Sequence, residues 1–301
     1  MTNSSDILFN QPVIIEACEE FVQRDMLELR GSFPGLLQDA PMSSTAAVVN
    51  GLSQQLIYQL QLIIPDAFVS FDDLNVDLLD AAFPYVQAPA KEALQRAIQD
   101  RGQTMQVNSA YRTIAQQMLL YNDRLNNSNP VAPPGASNHQ TGLAIDIEDA
   151  RGWESYLIPY GWEPLPGDPP HFDYIGDGTI DLRSNSIVAF QQLWNLNNPD
   201  AQIGEDGGFG SQTEDALNRS PAPGFAKAPW DDNPRTLRLA VPRMEGSDVI
   251  KLQEGLKKAG IAVGADGEFG PGTDKAVKEF QQKKGLKSDG IVDRKTREQM
   301  A

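Results

Sequence analysis

The chain repeats itself near its end, and that repeat limits the architectures open to it. Asp206-Gly-Gly-Phe-Gly-Ser-Gln-Thr213 matches Asp266-Gly-Glu-Phe-Gly-Pro-Gly-Thr273, and an alanine follows three residues after each threonine (Ala216, Ala276). Upstream of each copy lies an apolar helix start containing glutamine, IVAFQQL (187–193) and VIKLQEGL (249–256). Two copies roughly 60 residues apart make a tandem module rather than a solenoid, which needs at least three stacked units. The second copy continues through AVKEFQQKKGL (276–286) and DGIVDRKT (289–296), whereas the first stops near Pro221. APGFAKAPWDDNP (222–234) reads as a linker. The divisions expected are 1–80, 81–180, 181–222, a linker over 223–238, and 239–301.

Charge is divided in the same way. Residues 235–301 hold 14 Lys and Arg against 10 Asp and Glu, while residues 1–234 hold 11 against 31, within a net charge of −16. So acidic a body repels phosphates, which argues against a nucleic-acid partner. The mildly basic tail suits an anionic polymer, although a merely solvated surface explains such a balance as well. The single cysteine, Cys18, excludes an intramolecular disulfide and a cysteine-rich metal site. The most apolar stretch, Leu56 to Val69, is broken by Gln59, Gln61 and Asp66 and is too short for a membrane span. The opening MTNSSD has no positive residue before its first apolar stretch and does not read as a secretory signal.

Hydrophobic periodicity predicts helices over Val13 to Leu29 and Ser44 to Ile64, so residues 1–80 read as a helical region of unassigned role. Beyond residue 85 helices and short strands mix. Ala90 to Gln99 and Ile114 to Leu125 read as helices, and WESYLIPYGW (153–162) as a short helix stopping near Pro159. MQVNSAYR (105–112), GLAIDIED (142–149) and PHFDYI (170–175) read as strands. The fold class expected is α+β: a small antiparallel sheet with flanking helices, followed by small all-α three-helix modules.

The chain has two histidines, His139 and His171, and both lie in this α+β segment among carboxylates. An isolated His-x6-Asp is ordinarily a surface or core accident. Here both histidines fall in acid-rich motifs, Ser137-Asn-His139-Gln-Thr-Gly142-Leu-Ala144-Ile-Asp146 and Asp168-Pro-Pro-His171-Phe-Asp173. Two imidazoles and a carboxylate with one position open is a recurring catalytic zinc arrangement. Such a metal acidifies water and polarises a carbonyl. A carboxylate must then relay the proton to the leaving amine, and Asp168 is placed for that. A cation must steady the oxyanion, and Arg112 is the candidate. Asp173 is a candidate to orient the His171 imidazole. Trp153 and Trp162 read as core residues, and Tyr111 as a residue either shaping the pocket or packing.

These residues resemble a known family. SNHQTGLAID fits the S-x-H-x-x-G-x-A-x-D signature of the M15 metallopeptidases, the group of D-Ala-D-Ala carboxypeptidases and endolysins. SAYRT (109–113) resembles their S-G-Y-R-S segment, with Ala110 where glycine is usual, and DPPHFDY resembles their [ED]-x-x-H-F segment. The resemblance covers about residues 85–176. It implies zinc ligands at His139, Asp146 and His171, a catalytic carboxylate at Asp168, a transition-state arginine at Arg112, and substrate contacts at Ser137 and Tyr111. Aspartate at 168, where the carboxypeptidase branch typically has glutamate, looks more like the L-alanyl-D-glutamate endopeptidase branch. The 240–301 segment resembles the peptidoglycan-binding domain 1 family along its length, and 183–221 resembles its first two helices only.

The expectation is therefore a zinc-dependent hydrolase of peptidoglycan stem peptides, anchored to the wall by its tail and acting outside the cytoplasm, at the wall or in the periplasm. Three readings compete: L-alanyl-D-glutamate endopeptidase, D-alanyl-D-alanine carboxypeptidase, and a wall-binding protein without activity. Manganese, cobalt or nickel could occupy such a ligand set in place of zinc.

Overall fold

A computed structural model describes residues 33–41, 46–78, 83–126 and 131–300. The helix expected over Val13 to Leu29 lies outside them. Among the described residues seven strands are present: β1 (Val69–Ser70), β2 (Val76–Leu78), β3 (Tyr85–Val86), β4 (Met105–Ser109), β5 (Ala144–Ile147), β6 (Trp162–Pro164) and β7 (His171–Tyr174). β1 and β3 form a small antiparallel pair, and the other five form one sheet in the order β2-β4-β5-β7-β6.

The sheet departs from the expected all-antiparallel form at one edge, where β2 runs parallel to β4. The chain between them crosses over through the Ala88–Arg101 helix, and a parallel pair requires such a crossover. Pro89 in its first turn and left-handed Gly102 (φ 64°) as its C-cap fix the ends of that helix. Its apolar stripe, Ala90, Ala93, Leu94, Ala97 and Ile98, is buried on one face of the sheet.

Period-two alternation decides which strand residues reach that core. Met105 and Val107 of β4, Ile145 and Ile147 of β5, and Phe172 of β7 are all buried against the Ala88–Arg101 and Ala150–Leu157 helices, with Trp153 and Trp162. Asp146, His171 and Asp173 fall at the intervening positions and face the opposite side.

A second core joins segments distant in sequence. Leu52 and Leu56 of the Asn50–Ile63 helix pack with Ile114 and Met118, with Ile187, Phe190 and Leu193 of the Arg183–Asn197 helix, and with Leu217 of the Ser211–Asn218 helix. The first repeat copy is thus built into the main α+β body rather than standing free. The third core, including Leu237, Val249, Leu256, Phe269, Val277 and Phe280, belongs to the C-terminal helices Ser247–Lys258 and Pro271–Lys283.

The repeat has a physical cause, and it occurs three times rather than twice. In each copy a buried glutamine on a helix grips the following Asp-Gly turn. Gln253 Nε2 donates to Asp266 Oδ1 (2.7 Å), the Glu268 carbonyl (3.0 Å) and Thr273 Oγ1 (3.0 Å), while its Oε1 accepts from Gly267 N–H (2.8 Å). Gln191 makes the same set with Asp206, Gly208, Thr213 and Gly207. Gln281 makes it with Asp289, Ile291, Thr296 and Gly290. The three turn glycines have φ of 69°, 70° and 77°, so another residue there would be strained.

The C-terminal helices are seated on the body through Arg235, which is 6% exposed. Its guanidinium donates to both Asp248 oxygens (2.9 and 3.1 Å), to Gln54 Oε1 (3.0 Å) and to the Glu245 carbonyl, and lies over Trp230 at 3.5 Å. Gln54, on the Asn50–Ile63 helix, also donates to the Arg243 carbonyl (2.8 Å). The stretch expected to be a linker is held too, since Gln55 pairs with both backbone groups of Phe225 at 2.8 Å. Breaking a buried, paired charge typically costs about 3–5 kcal/mol. We therefore expect Arg235→Ala to lower stability in urea by an amount in that range, with the C-terminal helices released first, as hydrogen exchange would show.

Candidate metal and catalytic centre

The centre is assembled by register. β5 and β7 pair with Asp146 opposite His171, so the two side chains are direct cross-strand neighbours on one face. On the other side, β4 pairs with β5 through a register shift between Val107 and Ser109. The extra residue, Asn108, is a bulge that brings Ser109 opposite Asp146 and re-aims the chain toward Arg112. His139 arrives from the 3₁₀ turn Asn138–Thr141, which ends at left-handed Gly142 (φ 68°) and feeds directly into β5. Gln87 holds that turn, its Nε2 donating to the Thr141 carbonyl at 2.7 Å and its N–H to the Gly142 carbonyl at 2.9 Å.

Both imidazoles are buried, each 4% exposed. His139 Nδ1 lies 2.8 Å from the Ala110 carbonyl, which only accepts, so Nδ1 carries the proton and Nε2 presents a lone pair. That Nε2 is 3.2 Å from Asp146 Oδ2 and 3.2 Å from His171 Nδ1. His171 Nδ1 is 3.0 Å from Asp146 Oδ1, and its Nε2 is 3.0 Å from Asp173 Oδ1. His139, Asp146 and His171 each offer a ligand atom, all within 4.8 Å of one another. Two imidazole nitrogens and a carboxylate converging on one point form an acceptor-rich nest that only a cation or protons can fill. The residues therefore fit a divalent metal of the nitrogen- and oxygen-binding type.

Electrostatics follow the same geometry. Burial, with Arg112 adding to it, lowers His139 below the usual imidazole value. Burial also opposes charge on His171, but its hydrogen bonds to Asp146 and Asp173 prevail and push it up to about 9. Burial would raise Asp146, yet the imidazoles and Arg112 outweigh it and hold the carboxyl far below the usual carboxylate range. A proton shared at His171 Nδ1 is the charge that an arriving metal ion would displace.

Arg112 is beside this nest. Its guanidinium donates to Ser109 Oγ (3.1 Å), Gln117 Oε1 (3.2 Å) and Asp146 Oδ2 (3.4 Å), and its backbone N–H donates to the His139 carbonyl (3.1 Å). Asp168 is half-buried in the turn before β7, where its carbonyl accepts from His171 N–H at 3.0 Å. It lies outside the three-ligand cluster and close enough to act on the Arg112 charge. Ser137 is 5% exposed at the start of the turn carrying His139. Tyr111, expected to touch substrate, is placed otherwise. It is 3% exposed and packs on Phe68 at 4.7 Å between ring centres, because the Phe83 bridge draws its backbone into the body. Gln117 was not singled out from the sequence. It is buried on an otherwise apolar helix face, and its Nε2 donates to the Ala132 carbonyl at 2.7 Å, tying Arg112 to the loop that leads to Ser137. A buried glutamine next to an expected catalytic arginine was the available signal.

A small α+β sheet thus carries a His–Asp–His nest with a half-buried arginine alongside, a ligand set suited to a divalent cation. Residues 85–159 match the family described as D-alanyl-D-alanine carboxypeptidase (VanY), and residues 245–300 match the putative peptidoglycan binding domain. The chain thus carries a VanY-type domain joined to a peptidoglycan-binding module. The first match includes His139 and Asp146 and ends before Asp168 and His171, and the fold brings His171 to the same point as the first two. The chain is also 34% identical over 194 residues to a probable N-acetylmuramoyl-L-alanine amidase of Bacillus licheniformis, covering 59% of this chain and 51% of that protein. It is 46% identical over 56 residues to a spore cortex-lytic enzyme of Bacillus cereus, covering 18% and 22% of the two. The chain therefore spans about half the length of the first relative and about a fifth of the second.

Two outcomes are expected here. Dialysis against zinc should leave about one ion per chain on the wild type and far less on Asp146→Asn, measured by atomic emission, because a three-residue set tolerates no lost ligand. Tyr111→Phe should leave KM for wall substrate unmoved, since the ring is buried against Phe68.

Proposed function

We propose that this protein is a zinc-dependent peptidoglycan hydrolase that cuts an amide bond of the stem peptide, with L-alanyl-D-glutamate endopeptidase as the preferred reading. The observation that carries it is the convergence of His139, Asp146 and His171 on one point within a VanY-type domain, with Arg112 at 3.4 Å from Asp146. Zinc held by these three residues would polarise the scissile carbonyl and acidify the attacking water.

The chain's own residues supply the rest. Asp168 takes the proton of the water as it attacks the carbonyl carbon, and returns it to the nitrogen as the C–N bond breaks, leaving a carboxylate and an amine. Arg112 stabilises the negative charge that develops on the carbonyl oxygen; its bonds to Ser109 and Gln117 hold it in place beforehand, so little reorganisation is needed. Ser137, on the turn that carries His139, borders the approach of the peptide. The C-terminal module holds the enzyme on the wall and raises local substrate concentration, which sets its place of action outside the cytoplasm.

Aspartate at 168 favours the endopeptidase. The printed description of the matching family favours D-alanyl-D-alanine carboxypeptidase, and the Bacillus licheniformis relative is named for a third amide bond. Mass spectrometry of digested peptidoglycan separates them. Stem peptides beginning at D-glutamate support the first, free D-alanine the second, and stems beginning at L-alanine the third. No metal-dependent product from any wall type would leave a wall-binding protein without activity. Asp168→Ala should lower kcat by about 10²- to 10⁴-fold, the span of general acid–base catalysis. Arg112→Ala should lower it by about 10²- to 10³-fold, as loss of an oxyanion donor does.

A further inference from the structure

The two imidazoles of the centre are oriented by different means. His139 is fixed by a backbone carbonyl, that of Ala110, which no substitution at that position removes. His171 is fixed by a side chain, Asp173, 3.0 Å from its Nε2. Asp173 follows His171 by two residues on β7, so the pleat puts both on one face. It is itself held, since Asn138 Nδ2 donates to its Oδ1 (3.1 Å) and Oδ2 (2.9 Å). Asn138 directly precedes His139 in the chain. A ring is therefore closed: His139 is joined through its neighbour Asn138 to Asp173, Asp173 to His171, and His171 Nδ1 to His139 Nε2 at 3.2 Å. No other link of this kind between the Asn138–Thr141 turn and β7 uses side chains outside the nest itself, among the described residues.

We propose that Asp173, braced by Asn138, is a positioning residue that sets the tautomer and angle of His171 and thereby the metal affinity of the centre. With Nε2–H committed to Asp173, Nδ1 is the nitrogen that faces Asp146 and His139, and it becomes the ligand lone pair once a metal ion displaces the proton shared there. A carboxylate there also makes the imidazole more basic and a stronger ligand. The link from Asn138 extends the effect to His139, because the turn carrying one ligand is tied to the strand carrying the other. This rests on the reading of His171 as a metal ligand and is independent of which bond the enzyme cuts.

The test is zinc titration of the full chain against a competing chromophoric chelator, with ¹⁵N NMR of the histidine rings. Asp173→Ala should weaken zinc binding about 10- to 100-fold, the usual cost of losing such a partner, and the His171 Nε2–H signal should be lost to exchange. Asp173→Asn, which still accepts the bond without charge, should lie between that variant and the wild type. Asn138→Ala alters an exposed side chain outside every core and should weaken binding in the same direction by less. Zinc affinity within about twofold of wild type for Asp173→Ala would overturn the proposal. Should that variant fail to fold, unchanged affinity in both Asp173→Asn and Asn138→Ala would overturn it equally, as would a wild type that binds no zinc. Zinc affinity that depends on Asp173 in a protein that cleaves no wall peptide would sink the peptidase reading and leave this one standing. Normal cleavage with unmoved affinity would do the reverse.

Discussion

Asp146 and His171 face each other across two antiparallel strands, and the rest of the centre depends on that pairing. A slip of one residue would turn His171 and Asp173 into the helix-covered core and Phe172 out of it. The register is protected by the core itself: Ile145, Ile147 and Phe172 are buried on the far face, so the packing that stabilises the sheet also dictates which side chains form the nest. The bulge at Asn108 is the one register shift among the described residues, and it falls where Ser109 must meet Asp146 and the chain must turn to deliver Arg112.

Much of this was legible in the sequence. The motif around His139 and Asp146 lies at a loop-to-strand junction, and the glycine at 142 that ends the turn is written in it. The α+β class, the strands at 105, 144 and 171, and the burial of Trp153 and Trp162 followed from alternation and aromatic content. What could not be read were features set by contacts distant in the chain. β2 and β6 are three residues each, too short for a periodic signal, and the parallel direction of β2 follows from a crossover. Tyr111 neighbours Arg112 in sequence yet packs on Phe68, because its backbone is bridged to Phe83, 28 residues earlier. The third glutamine-gripped turn escaped notice because Ile291 stands where the other two copies carry glycine or glutamate, and the aromatic that follows is missing. The hydrogen bonds use only Gln281, Asp289, Gly290, the Ile291 backbone and Thr296, so the structure tolerates the change.

The Asn50–Ile63 helix explains why the repeat copies have different surroundings. Its Leu52 and Leu56 bury the first copy in the main α+β body, while Gln54 and Asn50 meet the second copy through Arg243, Arg235 and Glu245. One helix thus serves as core for one unit and as polar seat for the other. The polar seat is the weaker of the two, because its hydrogen bonds replace ones that water would supply, whereas apolar burial removes surface from water outright. The first copy is therefore part of the scaffold behind Arg112, through Ile114 and Met118 on the intervening helix.

The charge arrangement at the centre makes a similar choice between holding shape and admitting a ligand. Asp146 is a carboxylate that burial alone would neutralise, and it stays ionised because two imidazoles and Arg112 surround it. The proton on His171 supplies part of that compensation, so a divalent cation entering the nest exchanges one positive charge for another rather than forcing the pocket to reorganise. The ligand nitrogens are already aimed by Ala110 and Asp173, and the guanidinium is already tied by Gln117 and Ser109. Asp168 stands apart from these constraints, on a turn where its own backbone bonds to Leu165 and His171. The proton relay proposed for Asp168 would gain from that freedom, whereas the proposed ligands gain from having none. The division between a rigid acceptor nest and a turn-borne carboxylate is what the sheet, its bulge and its glycine-ended turn together produce.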